Sequence, residues 1–329
     1  MYVYSYYNTY VRFCKWLLFK LYNHIIDLII GDPRSIPHPV VIIGKFISKL
    51  EAAFFRFVNN DVGTKIAGIV LVLIVVLSTY LISRQIINIG YIINFYLGIV
   101  INIWLLSTTI AIKGLRKAGL KIYYYLKDDN INQARTAVAE IVGRDTDKMK
   151  ENDIVRATVE TIAENTSDGI IAPIFFYLIG GTPLALAYKA VNTLDSMLGY
   201  KNEKYRHFGW AAARFDDLVN FLPARLTGIG FCLAALVTRG DWKKGWQIMI
   251  RDAGKHPSWN AGYPEAAVAG SMGISLGGLN YYHGKPAFRA YLGDKNRELL
   301  VKDIKLVIRL MSWNVFLIIS LLIMFGLGR

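Results

Sequence analysis

Apolar residues run almost unbroken over residues 66–82, 86–112 and 306–327. Each stretch is near or above the ~20 residues a helix needs to cross ~30 Å of hydrocarbon. Two further runs, 170–188 and 218–237, are apolar but interrupted, the first by Pro173, Gly180, Gly181 and Pro183. A weaker one, 16–30, contains Lys20, Asn23, His24 and Asp27. The pattern predicts an all-α, multi-pass integral membrane protein with four to six crossings. Polar stretches 31–65, 113–168, 189–217 and 239–305 connect the runs. No internal repeat or low-complexity linker divides them, so 1–329 reads as a single membrane-embedded domain. Residues 1–24 form a variable N-terminal extension with no cationic start or small-residue cleavage site, hence no secretory signal.

Helical periodicity extends into the polar stretches. Val40, Ile43, Ile47, Leu50, Phe54 and Phe57 recur near helical spacing, with Lys45, Lys49 and Arg56 opposite. Such a helix either lies on the membrane surface or packs on neighbouring helices. Asp153, Arg156, Glu160 and Glu164 share another helical face. An Arg156–Glu160 pair on a solvated face is its simplest reading, worth only ~0.3–0.5 kcal/mol. Over 187–198, Ala187, Ala190, Val191, Leu194, Met197 and Leu198 make one apolar stripe. Lys189, Asn192, Thr193 and Ser196 face the other way, with Asp195 at the edge. That face is lined by ammonium, amide and hydroxyl groups rather than by the Glu/Lys mixture of a solvated helix.

Composition sharpens the membrane reading. Hydrophobic residues make up 54% and charged residues 19% of the chain, and mean hydropathy is +0.34. An ordinary soluble domain carries roughly 25% charged residues. Lys+Arg is 38 against Asp+Glu 24, a net +14. This balance suits anionic lipid headgroups and phosphorylated ligands. Nucleic acid is not expected, because the bases are scattered through apolar sequence. Cys14 and Cys232 form no metal-ligand spacing.

Charge also orients the chain. Lys113, Arg116, Lys117, Lys121 and Lys127 follow the third long run with no acid among 113–127, so 113–168 is expected in the cytoplasm of a plasma-membrane protein. The short connection 83–85, holding Arg84, then lies outside. Residues 239–305, with eleven Lys/Arg against six acids, a net of +5, also belong inside.

Several polar clusters can carry chemistry. Gly31-Asp32-Pro33-Arg34 and His38 sit at a membrane exit, either as a rigid turn or as a site. Asn165-Thr166-Ser167-Asp168-Gly169 abuts the apolar run from Ile170, where Ser167 or Asp168 either caps a helix or helps bind an anion or metal phosphate. Arg214, Asp216, Asp217 and Asn220 precede an apolar run that contains Arg225, a costly placement that calls for a partner or ligand. Asn260 and Glu265 lie in a loop that leads into a small-residue helix, whose first turn explains Glu265 structurally. No phosphate loop, dinucleotide fingerprint, H-E-x-x-H or G-x-S-x-G is present.

In this order, Gly31-Asp32-Pro33 with His38-Pro39-Val40, Glu164 to Gly169, Lys189 to Met197, Arg214-Phe215-Asp216-Asp217 through Arg225, and Asn260-Ala261-Gly262 with Pro264-Glu265-Ala266 resemble the CobD/CbiB family. The likeness covers about residue 25 to the C-terminus. It implies an adenosylcobinamide-phosphate synthase. Such an enzyme joins the free propionate carboxylate of adenosylcobyric acid to the amine of aminopropanol phosphate or aminopropanol, giving an amide. ATP, through an acyl phosphate, and magnesium are expected from the resemblance. The corrinoid is substrate and not cofactor.

On this reading Lys189, Arg214 and Arg225 bind phosphate or carboxylate. Asp32, His38, Asn165, Asn192, Thr193, Ser196, Asp216, Asp217, Asn260 and Glu265 line the substrates. Glu164, Asp168 or Asp195 either takes the proton of the attacking ammonium or holds magnesium, with Glu164 and Asp168 as its ligands. A corrinoid transporter or a sensor on the same fold is the alternative. One conflict remains: strict alternation puts 189–217 outside, which would split the site across the bilayer. Either 170–188 and 218–237 do not both cross simply, or the 189–217 helix folds back into a cavity open to the cytoplasm.

Overall fold

A computed structural model describes residues 38–58, 60–200 and 202–326. The run 16–30, the N-terminal extension and Asp32 lie outside the described residues. The described residues are predominantly helical, as the hydropathy pattern predicts.

Helix α1 (Pro39–Phe54) starts on proline at its first position, where a missing N–H costs nothing. It turns Ile43 and Ile47 inward and leaves Val41 and Ile42 exposed. It therefore packs on its neighbours and still presents an apolar flank. Helix α2 (Asp61–Ile93) spans 33 residues, capped at the start by the Asn60 side chain. At 1.5 Å per residue it is ~50 Å long, longer than the hydrocarbon core. Exposed Ile66, Leu73, Leu77, Leu81, Ile89 and Ile93 run along its length, a surface made for lipid.

The expected outer connection at 83–85 does not exist. No glycine or proline breaks the helix there, and the Ser83 hydroxyl bonds to the Tyr80 carbonyl within it. The turn comes at Asn94, whose side chain accepts from the Tyr96 and Leu97 N–H groups to start α3 (Phe95–Ser107). Residues 108–111 break the helix before α4 (Ile112–Lys127). The break is pinned by the Ala111 N–H donating to the Gly169 carbonyl at 2.9 Å. Helix α5 (Ile131–Ala139) follows.

Helix α6 (Glu151–Thr166) continues without a turn through a π-helical segment, Ser167–Ile171, into α7 (Ala172–Leu198). The polar turn expected at 165–169 is thus a helix bulge, and no side-chain cap forms there. Thr166 and Asn165 satisfy themselves on carbonyls one turn back.

Helix α7 is two arms. Gly180 and Gly181 leave helical geometry, with Gly181 at φ +70°, a conformation that only glycine adopts cheaply. The chain reverses there. The rings of Phe176 and Tyr188 stack with centroids 5.1 Å apart, where twelve residues of straight helix would separate them by ~18 Å. The first arm carries about ten residues of apolar run between its polar base and the tip, ~15 Å, and the second about seven, ~10 Å. Both polar bases therefore lie at the same end of the hairpin, with residues 168 and 189 side by side.

Helices α8 (Trp210–Val219), α9 (Phe221–Thr238), α10 (Trp242–Asp252) and α11 (Gly262–Met272) lead to a β-hairpin of β1 (Leu276–Tyr282) and β2 (Lys285–Leu292). Helix α12 (Lys302–Gly326) closes the fold. The β-hairpin is an addition to the all-α expectation. Its two-residue turn, His283–Gly284, has φ of 51° and 75°, as a type I′ turn requires. Among the described residues, Asp61–Ile93, Phe95–Lys127, Glu151–Leu198, Phe221–Thr238 and Lys302–Leu321 are long and apolar enough to cross a membrane. The second is broken at 108–111 and the third folds back on itself.

Among the described residues two large buried cores form, with a small third cluster of Ile87, Leu105 and Leu186 between α2, α3 and the second arm of α7. The larger holds α4 to α6, the first arm of α7 and α9 to α12. The smaller joins α1 and α2 to the second arm and α8. The α7 hairpin is the seam between them, and the polar residues gather along it.

Candidate active site

Folding back the α7 hairpin brings the two most polar helix faces together. Asp168, at the base of the first arm, lies within electrostatic reach of Lys189 on the second, and of Asp216 and Glu164. The Lys189 ammonium donates to Asn192 Oδ1 at 3.1 Å. The Tyr188 hydroxyl lies 3.0 Å from the Asp168 carbonyl and 2.8 Å from Asn220 Oδ1, and its single proton serves one of them at a time. Asn220 in turn donates through Nδ2 to Asp216 at 2.9 Å. Hence α7 and α8 are stitched together by Tyr188, Asn220 and Asp216 around the Lys189 head.

Burial pushes the Asp216 carboxyl up to about 7, and the neighbouring Asp195 adds to the rise. Its Oδ1 is buried without a hydrogen-bond partner, a costly arrangement for a structural group. A half-protonated acid beside an ammonium, at neutral pH, is suited to proton transfer.

The rim is built by Arg214, Asp217, Arg225 and Asn260. Arg214 pairs with Asp217 at 3.5 Å and stands over the Trp259 ring. Arg225 reaches Asn260 Oδ1 at 3.4 Å and lies over the rings of Phe221 and Tyr263. Asn260 donates to the Asp217 carbonyl at 2.8 Å. Arg214 and Asp217 border a cavity of about 240 Å³ walled by Tyr200, Tyr205, Trp210 and Trp259.

Behind Glu164 lies a second, interior cluster. Glu160 is not paired with Arg156: it is 2% exposed, bridged to Arg144 at 2.5 Å, and accepts from the Gly277 N–H at 2.8 Å. Arg156 instead holds Asp153 and the carbonyls of Gly277 and Leu279. Glu265 is 1% exposed, and burial, with Glu160 and Glu164 nearby, raises its carboxyl well above the usual range. His256 Nε2 lies 3.7 Å from Glu265 Oε1, and both atoms are buried without a hydrogen-bond partner. Burial, then the nearby Arg289, pushes the imidazole down to about 4. Glu164 feels Arg289, Glu160 and Arg144 on one side and Asp195 on the other, and so joins the two clusters.

The structure thus gathers Glu164, Asp168, Lys189, Asn192, Asp195 and Asp216, with Arg214, Asp217, Arg225 and Asn260 at the rim. Other expected ligand residues are engaged elsewhere. Asn165 and Thr193 bond to carbonyls of their own helices, Thr193 being buried. Ser196 is exposed and bonds to the Thr193 carbonyl. His38 caps α1, its Nδ1 accepting from the Val40 N–H at 3.3 Å. Tyr188, Arg144, Arg289 and His256 are residues that the sequence did not single out for the site, and Asn220, named in a polar cluster, had no role assigned to it. Tyr188 ends an apolar run, and Arg144 and Arg289 come from distant segments, so spacing carried no signal for them.

Among the described residues no group of three or more His, Cys, Asp or Glu is placed to hold a metal ion. Magnesium is commonly held by one or two carboxylates plus substrate phosphates, and the acid-rich seam with the orphaned Asp216 oxygen fits that mode.

A multi-pass helical membrane protein with a lysine–carboxylate–amide site at the base of a helical hairpin is the class these features define. The chain belongs to the CobD/CbiB family, whose model, described as CobD/Cbib protein, matches residues 21–311. It is similar to a cobalamin biosynthesis protein CobD of Geobacter metallireducens, 45% identical over 87% of this chain and 89% of that one. A protein of the same name from Clostridium tetani is 43% identical over 84% and 86%. Another, from Clostridium acetobutylicum, is 45% identical over 93% and 97%. No solved structure matches the chain.

Proposed function

We propose that the protein acts in cobalamin biosynthesis as an amide-forming ligase. It joins the free propionate carboxylate of adenosylcobyric acid to the amine of aminopropanol phosphate or aminopropanol. The observation that carries this reading is the juxtaposition of Lys189, Asp168 and Asp216 across the α7 hairpin, in a chain of this family. A C–N bond forms, an oxygen leaves the carboxyl carbon, and protons leave the ammonium.

Each residue has a task in that balance. Lys189 and the rim arginines Arg214 and Arg225 neutralise carboxylate and phosphate. Asp216, with its carboxyl near neutrality, takes the proton that makes the amine nucleophilic. Asn192 and Asn260 hold amides of the corrinoid fringe. The aromatic wall of Trp210, Tyr205 and Trp259 beside Arg214 offers flat surfaces to a planar macrocycle. ATP with magnesium would supply the driving force, and Asp168 or Glu164 would be the residues to hold the metal. On this reading the site opens to the cytoplasm, the side that the 113–127 cations favour for the adjoining helix.

Mass spectrometry of purified protein given adenosylcobyric acid, ATP and each amine tests the reading. The product gains the mass of the amine less one water. Cells lacking the protein are expected to grow on cobinamide and not on cobyric acid; equal growth on both overturns the assignment.

A further inference from the structure

The tip of the α7 hairpin is lined by polar groups that the proposed reaction does not use. A cavity of about 410 Å³ lies between it and helices α2 and α3, lined by Arg84, Asn88, Asn102, Tyr177, Gly181 and Thr182 among others. Arg84 stands in a largely apolar helix, between Ser83 and Gln85 and near exposed Leu81, Ile82 and Ile86. An arginine at membrane depth is costly and calls for a counter-charge; among the described residues Arg84 forms no ion pair. Thr182 is 1% exposed and its hydroxyl has no hydrogen-bond partner. It also opens the second arm, 17 residues long from 182 to 198, so the positive dipole end of that arm borders the cavity at Thr182 and Pro183.

We propose that this cavity is a binding site for a phosphate-bearing anion, separate from the active site. Lys189 lies seven residues further along the same arm, ~10 Å away. A guanidinium, two carboxamides, a hydroxyl and helix-terminal N–H groups supply donors from several directions, which suits a tetrahedral phosphate better than a planar carboxylate. The phosphate comes from a lipid headgroup, reached along the exposed apolar flank of α2, or from a free phosphate compound. Occupied, the site would neutralise Arg84 and brace the hairpin tip.

The test uses the full chain in a maltoside detergent, with phosphatidylglycerol or inorganic phosphate as probe and native mass spectrometry as readout. Wild-type protein is expected to retain one of the two probes. Arg84→Gln is expected to weaken that binding about tenfold or more, as loss of a charge-assisted bond implies, Arg84→Lys to restore part of it, and Thr182→Val to weaken it less. Lys117→Gln, on the basic stretch of α4, should leave it unchanged. Displacement of the lipid by inorganic phosphate identifies a free-phosphate site, and its failure identifies a lipid site. Retention of neither probe by wild type, or equal retention by a folded Arg84→Gln variant, overturns the proposal.

Discussion

The Tyr188 hydroxyl lies 3.0 Å from the backbone carbonyl of Asp168, although twenty residues separate them. A continuous helix would hold them ~30 Å apart. That contact exists because the chain reverses at Gly180–Gly181, and it is the reason one site can draw on both arms. It also removes the topological conflict in the hydropathy pattern. A stretch that looks like one crossing returns to its starting side, so the polar clusters before and after it need not be divided by the bilayer.

Gly181→Ala should therefore damage the site from a distance. A Cβ there has space, its nearest neighbour being Pro183 Cδ at 3.7 Å, so the penalty is conformational. At φ 70° and ψ −168° the backbone lies in a region essentially confined to glycine, which costs another residue about 1–3 kcal/mol. Thermal melting in detergent should fall by a few degrees and turnover should fall with it. Unchanged melting would mean that the hairpin is not held by this conformation.

Lys189→Ala should lower turnover by at least about a hundredfold, a loss of ~3 kcal/mol typical of one transition-state charge contact, without unfolding the protein. Asp168→Asn should do the same, since no capping bond is at stake there. Steady-state rates measured beside circular dichroism separate the effects. Wild-type kinetics in either folded variant would remove that residue from the mechanism.

Accessibility tests the side of the membrane. With Cys14 and Cys232 removed, Ser196→Cys, at an exposed position, should react with an impermeant thiol reagent only in inverted vesicles. Labelling from the outer face of intact cells would place the site on the wrong side.

Much of this is legible in the chain. The long apolar runs announce the membrane helices, and the Lys189–Asp195 face stands out as polar, although only Lys189, Asn192 and Asp195 of it join the seam while Thr193 and Ser196 bond within their own helix. Gly180, Gly181 and Pro183 mark a break without fixing its angle, because the direction of a reversal depends on what the arms pack against. The pairing of Glu160 escapes for a similar reason. Its helical neighbour Arg156 is the obvious partner by spacing, whereas Arg144 reaches it from the preceding loop and Arg156 is drawn off by β1 carbonyls. The turn at Asn94 is misread as one at 83–85 because a lone Arg84 resembles a loop when no neighbouring cavity is visible.

The interior Glu160–Arg144 bridge is a place where one partner cannot be lost alone. Arg144 and Glu160 side chains are 6% and 3% exposed. Arg144→Met leaves a buried carboxylate uncompensated and should cost about 3–5 kcal/mol. Combining it with Glu160→Gln removes the stranded charge, so the double variant should be more stable than Arg144→Met alone. Thermal melting decides it, and additive losses would show that the pair is not coupled.

Asp216 gives the strongest pH signature. Its ordinary value is 3.8 and burial, reinforced by Asp195, raises it to about 7 in the folded protein. Between those values the folded state binds the proton and the unfolded state does not. The contribution of Asp216 to stability is therefore full below about 3.8 and is lost as pH rises through about 7, each unit being worth ~1.4 kcal/mol. Activity runs the other way, because a base must be deprotonated to accept the ammonium proton. Turnover should rise through about pH 7, whereas melting temperature should fall from about pH 3.8 upward and level off once pH passes about 7. Asp216→Asn keeps an acceptor for Asn220, which donates to the carboxylate at 2.9 Å, but has no charge to expose. It should flatten the stability slope and abolish most activity at every pH. If the variant keeps the wild-type rise in turnover near neutrality, the titrating base is another of the seam carboxylates.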